Sequence, residues 1–196
     1  MNSSLIQQVR KKLDNNGKGI PILVILVGES GAGKTTFTKM MDCAGNWFES
    51  SRAMAEALRL KGEPVNHDTV HSFANKAYGE NPCWQVPKIL DALNKKKFLI
   101  LDGPRRIEEV RALLKTHPRT LVIRILTSQD ETRFGRLCQR DKINLEGFKR
   151  VVKDESAETD LRQLLALADL TITNDGTIED TKKTALKLKG ILQKIQ

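Results

Sequence analysis

No apolar run in this chain approaches the roughly 20 residues that a helix needs to cross a bilayer. The stretch from Ile20 to Val27 instead has the length and composition of a buried parallel strand. Residues 1–19 are polar and basic and contain no apolar core of the kind a secretory signal requires, so a cytoplasmic protein is expected. Cysteine is scarce. Cys43, Cys83 and Cys138 are odd in number and widely spaced, which argues against a disulfide framework or zinc site and fits a reducing compartment. His67 and His71 lie four apart, but no carboxylate or third ligand completes a metal set, so they are expected to be polar surface or packing residues. Internal repeats and low-complexity segments are also absent, and 196 residues suffice for one domain, 1–196, with a full core.

What the chain does have is charge. Hydrophobic residues make up 39% and charged ones 29%, a globular rather than disordered balance. Lys and Arg number 33 against 24 Asp and Glu, a net charge of +9, which favours encounters with polyanions. One basic block runs from Arg133 to Lys153 and includes Arg136, Arg140, Lys142, Lys149 and Arg150 against Asp141 and Glu146. A second lies near the C-terminus, at Lys182, Lys183, Lys187, Lys189 and Lys194, where a solvated basic helix face is the plain alternative.

Apolar runs alternate with helical patterns, which predicts an α/β fold with a mainly parallel sheet. Strands are expected over 22–27, 98–101, 121–126 and 170–173, with a weaker one near 46–48. Helices are expected over 4–13, 34–41, 51–61, 69–78, 87–94, 107–115, 130–140, 145–154, 159–166 and 178–195. Ser128-Gln-Asp-Glu131 fits a capping box, and Asn66 or Asp68 can cap the helix after Pro64. Residues 44–96 are mostly helical and too long for a simple crossover, so they read as an insertion on the acceptor side. Residues 128–168 form a second excursion suited to a lid.

The decisive motif is Gly28-Glu-Ser-Gly-Ala-Gly-Lys34-Thr35, which fits the phosphate-binding pattern G-x-x-x-x-G-K-[ST] without mismatch. A buried strand precedes it and a helix opens at Lys34 and Thr36, the context the motif needs. Gly28, Glu29, Ser30, Gly31, Ala32, Gly33 and Thr36 would cradle the phosphates of a nucleoside triphosphate through backbone amides. Lys34 would neutralise the β/γ-phosphates, and Thr35 would hold Mg²⁺. A second strand ends in Asp102, placing a carboxylate beside the loop for a further Mg²⁺ contact. Arg105 and Arg106 follow at the strand tip and could grip an acceptor phosphate. Arg133, Arg136 and Arg140 share one helix face. They suit charge stabilisation over a transferring phosphoryl group, Arg136 and Arg140 more than Arg133, with a stripe paired through Asp130 or Glu131 as the alternative.

These elements resemble P-loop kinases of the nucleoside monophosphate kinase-like group. Leu101-Asp-Gly-Pro-Arg105 is similar to the Asp-Gly-Phe-Pro-Arg element of adenylate kinases, one residue shorter. Asp102 with Glu108-Glu109-Val110, Arg133-Phe-Gly-Arg136 and Ile172-Thr-Asn174-Asp-Gly176-Thr resembles dephospho-coenzyme A kinase, and phage deoxynucleotide kinases share the layout. The resemblance implies a three-layer α/β/α P-loop NTPase fold, ATP with Mg²⁺, a nucleotide-type acceptor, and Asn174 beside the donor's adenine. It lacks a clear counterpart of the acidic general base that dephospho-coenzyme A kinases carry after the second strand; Asp42 and Glu49 are the nearby acids. Arg52, at a helix start, is a further candidate phosphate ligand, and Trp47 or Phe48 could stack on a base, although both also suit a core. The high positive charge keeps open a kinase acting on DNA, at a hydroxymethylated pyrimidine or a strand end. A nucleotide-dependent regulatory switch is the third reading, against which the arginine lid argues.

Overall fold

Six consecutive aliphatic residues form the central strand β1 (Ile22–Val27), and all six are buried. Because side chains alternate along a strand, β1 feeds two cores at once. Ile22, Val24 and Leu26 face one, and Leu23, Ile25 and Val27 face the other. The computed structural model describes residues 4–13, 19–41, 45–104, 106–157 and 159–195. Asp42, Cys43 and Arg105 lie outside the described residues, as do the side chains of His67 and His71.

Around β1 the other strands are β2 (Trp47–Glu49), β3 (Phe98–Asp102), β4 (Thr120–Leu126) and β5 (Leu170–Thr173). Their order is β2-β3-β1-β4-β5, with every pair parallel. The first core packs α1 (Ser4–Leu13), α2 (Lys34–Met41) and α10 (Ile178–Lys194) on one face, through Val9, Leu13, Phe37, Met41, Ala185, Leu188 and Leu192. The second packs α5 (Val86–Asn94), α6 (Ile107–Thr116) and α9 (Thr159–Ala166) on the other, through Ile89, Leu93, Val110, Leu113 and Leu164. This is the three-layer α/β/α arrangement with a parallel sheet that the sequence leads one to expect. Each large apolar side chain fully buried this way contributes about 1.5–3 kcal/mol.

The stretch expected as an insertion builds α3 (Ser50–Leu60) and α4 (His67–Glu80) around a small core of its own, Met54, Ala74 and Tyr78, with Trp84 against it. Asn66 caps α4 reciprocally with Thr69, as one of the two expected caps. The second excursion forms α7 (Asp130–Asp141), α8 (Leu145–Ala157) and α9. The expected capping box at Ser128 does not form. Gln129 is the N-cap, without a side-chain capping bond, and the Ser128 backbone amide (2.8 Å) and hydroxyl (2.6 Å) instead both donate to Asp175 on the loop after β5. Ser128 thereby ties the start of α7 to the loop after β5. Among the described residues, no helix is long and apolar enough to cross a membrane.

Candidate active site

The loop between β1 and α2 bends through glycines in the left-handed region, at φ 79° for Gly31 and 94° for Gly33. A Cβ on Gly28 would stand 2.4 Å from the Ile125 carbonyl oxygen, and one on Gly33 would stand 2.3 Å from the Asn174 amide nitrogen. Glycine is therefore demanded by close approach as well as by backbone angle. The convex side of the loop is braced. The Ala32 carbonyl accepts from the Asn174 side-chain amide (2.8 Å) and from the Thr127 hydroxyl (3.3 Å). Arg136 donates to the Thr127 hydroxyl (3.0 Å), to the Gly31 and Ala32 carbonyls (3.3 and 3.4 Å) and to the Asn174 carbonyl (2.9 Å).

On the concave side, the Lys34 ammonium donates to the carbonyls of Gly28 (2.7 Å) and Glu29 (3.0 Å). Burial pulls its pKa down, offset by the charges of Asp102, Glu155 and Glu29. The Glu29 side chain turns outward to Arg124, 3.6 Å away. Asp102 closes β3 beside the loop, 4% exposed, and its Oδ2 has no hydrogen-bond partner. Burial raises its pKa, against the Thr35 hydroxyl bond and the Lys34 charge, which lower it. An orphaned carboxylate oxygen next to a threonine hydroxyl and a lysine is what a hydrated divalent cation would satisfy. Among the described residues no group of three His, Cys, Asp or Glu side chains gathers to hold a metal by itself. Thr35 and Asp102 would thus share an ion with bound phosphates, and they fit that task.

A cavity of about 1160 Å³ opens over the loop, lined by Lys34, Thr35, Thr36, Asp102, Arg136, Arg140 and Asn174, among others. Glu49 lines it too. It ends β2 in register with Asp102, and the Ser51 hydroxyl donates to its carboxylate at 3.0 Å. The strand runs one residue beyond the expected 46–48, and that residue delivers Glu49 to the site. Trp47 and Phe48 pack against the two cores.

Not every candidate is brought in. Arg52 is exposed on the first turn of α3 and does not line the cavity. Arg106 leans over the Tyr78 ring, 5.6 Å from its centroid, and lies 3.4 Å from Asp160 of α9. The three arginines of α7 divide. Arg140, at the cavity rim, is held at both ends by Asp141, whose hydrogen bond raises its pKa. Arg136 is bound to the loop carbonyls. Arg133 is buried and donates to the Ser30 carbonyl (2.9 Å), to Asp130 (3.1 Å) and to Glu155 of α8. Sequence reasoning missed Glu155, which also accepts a hydrogen bond from the Ser30 backbone amide. The one hint is chemical: a buried arginine requires a buried counter-ion.

No protein-family model matches the chain. Among solved structures, a dephospho-CoA kinase from Campylobacter jejuni is similar at a TM-score of 0.53 and 18% identity, over 88% of this chain and 97% of that one. A shikimate kinase from Acinetobacter baumannii is similar at 0.50 and 21%, over 86% and 92%. At such identities the likeness establishes the fold. In sequence, a UPF0200 protein from Staphylothermus marinus is 30% identical over 186 residues, covering 88% of this chain and 94% of that protein. This chain therefore belongs to the UPF0200 family.

Proposed function

We propose that the chain is an ATP-dependent phosphotransferase that moves the γ-phosphoryl group to a hydroxyl of a small, anionic, nucleotide-type acceptor. The observation that carries this reading is the register of Glu49 with Asp102 across β2 and β3, beside the phosphate loop in one cavity. A nucleotide-binding module needs the loop; only transfer to a hydroxyl also needs a carboxylate where that hydroxyl would lie. Residues 28–36 and Lys34 hold the donor phosphates, Arg136 braces the loop from behind, and Arg140 supplies charge at the rim. Asn174 spends its side chain on the loop, which leaves its backbone and the following turn to face the donor's base. Mg²⁺ held by Thr35 and Asp102 would neutralise charge on the phosphate oxygens. In an in-line reaction the acceptor oxygen attacks the γ-phosphorus, its proton passes to the Glu49 carboxylate, and the bond to the β–γ bridging oxygen breaks to release ADP. Arg106 would have to leave Asp160 and the Tyr78 ring to hold an anionic group of the acceptor.

The small acceptor is preferred over a DNA base because Trp47 and Phe48, the aromatic pair a flipped base would need, are engaged in the cores. The test is ADP release with Mg²⁺ across a panel of nucleosides, nucleotides, dephospho-coenzyme A, sugars and modified-base oligonucleotides. Acceptor-dependent turnover is expected with a small hydroxyl compound. Glu49→Gln should lower kcat about 10²–10⁴-fold with little change in ATP affinity. Turnover independent of any acceptor, or a Glu49→Gln variant as active as the parent, refutes the reading.

A further inference from the structure

One contact in the site runs against phosphate binding. The Ser30 amide belongs to the loop whose N–H groups are expected to receive phosphate oxygens, yet it donates to Oε1 of Glu155. The other oxygen of the same carboxylate accepts from Arg133, which also holds the Ser30 carbonyl at 2.9 Å. Both side chains are sequestered, Glu155 at 14% and Arg133 at 7% exposure, and Arg133 also lies over the Phe148 ring of α8. Glu155 lines the cavity together with Lys34, whose ammonium sits on the carbonyls of Gly28 and Glu29, immediately before Ser30. In loops of this pattern the lysine marks the β/γ end of the donor. An anion fixed to a loop amide and a guanidinium at that end has the charge and the partners of a terminal phosphate.

We propose that Glu155 is a built-in occupant of the terminal-phosphate position: its carboxylate holds the Ser30 amide and Arg133 when no nucleotide is present, and a triphosphate must displace it. This rests on the donor reading given above. Displacement frees Arg133 for the incoming phosphate and releases the C-terminal turns of α8 from the loop, so donor binding is coupled to a rearrangement of the lid. A diphosphate, lacking the terminal group, leaves the contact in place.

The test is equilibrium binding of ATP, a non-hydrolysable ATP analogue and ADP to the wild-type chain, Glu155→Gln, Glu155→Ala and Lys34→Ala. Neutralising Glu155 is expected to tighten ATP and the analogue about 10-fold and ADP by less than about 3-fold, since like charges in one site oppose each other. Unchanged or weaker ATP affinity, or equal gains for ATP and ADP, overturns the proposal. Should the variants fail to fold, hydrogen exchange on the wild-type chain decides. The analogue should raise amide exchange over 151–157 and ADP should not; protection or no change there overturns the proposal. If Lys34→Ala binds ATP as well as wild type does, the donor reading itself has failed. If Lys34→Ala loses ATP while Glu155→Gln behaves as wild type, only the occupancy of the loop by Glu155 has failed.

Discussion

Glu109 is completely buried on α6, among Ile107, Val110 and the second core, and neither carboxylate oxygen has a hydrogen bond of good geometry. Burial pushes its pKa from 4.5 up to about 8, with the Tyr78 hydroxyl of α4 pulling weakly the other way. The folded chain therefore keeps this proton at pH 7 while the unfolded chain releases it. Below pH 4.5 both states hold the proton and Glu109 contributes no pH dependence. Between 4.5 and about 8 the unfolded state binds fewer protons, so stability falls as pH rises, by about 1.4 kcal/mol per pH unit. From pH 5 to pH 8 the loss is about 4 kcal/mol, or about 10 °C in Tm for a chain of this size. Glu109→Gln keeps the shape and removes the titration. Thermal unfolding of both proteins at pH 5, 6, 7 and 8 should show the parent falling relative to Glu109→Gln by about that amount. Two parallel curves would refute the reasoning, because every other titrating group is common to both proteins.

Two further outcomes follow from the loop and the metal side of the site. Gly28→Ala should lower stability by about 2–4 kcal/mol in urea unfolding and weaken ATP binding, since the new Cβ would stand 2.4 Å from the Ile125 carbonyl. Asp102→Asn should raise Tm at neutral pH, because it removes a carboxylate that burial holds at a raised pKa, while abolishing Mg²⁺-dependent turnover; a lower Tm would count against that charge being costly in the folded state.

The legible part of this molecule was local. β1 shows as six adjacent aliphatic residues, the phosphate-binding pattern as eight adjacent positions, and the α4 cap as Asn66, one of two candidates with Asp68. Each is set by neighbours in the chain, through backbone sterics and short-range hydrogen bonds. The Ser128 capping box obeyed the same local grammar and still failed, because Asp175, 47 positions away, offered both donors a charged partner. Arg133 was legible as one member of a helical stripe, yet the stripe could not reveal that this member faces inward while Arg140 faces the rim.

The sequence by itself thus determined that a loop of the phosphate-binding pattern sits between a buried strand and a helix, with a carboxylate at the end of another strand. Only the tertiary structure decided which groups complete the site. The strand order β2-β3-β1-β4-β5 sets Glu49 beside Asp102, while α7 brings Arg133 to the Ser30 carbonyl and α8 brings Glu155, 125 residues from Ser30, to the Ser30 amide. These pairings arise from burying charges that need partners, and that demand acts across whatever elements the sheet draws together, leaving no period or spacing along the chain.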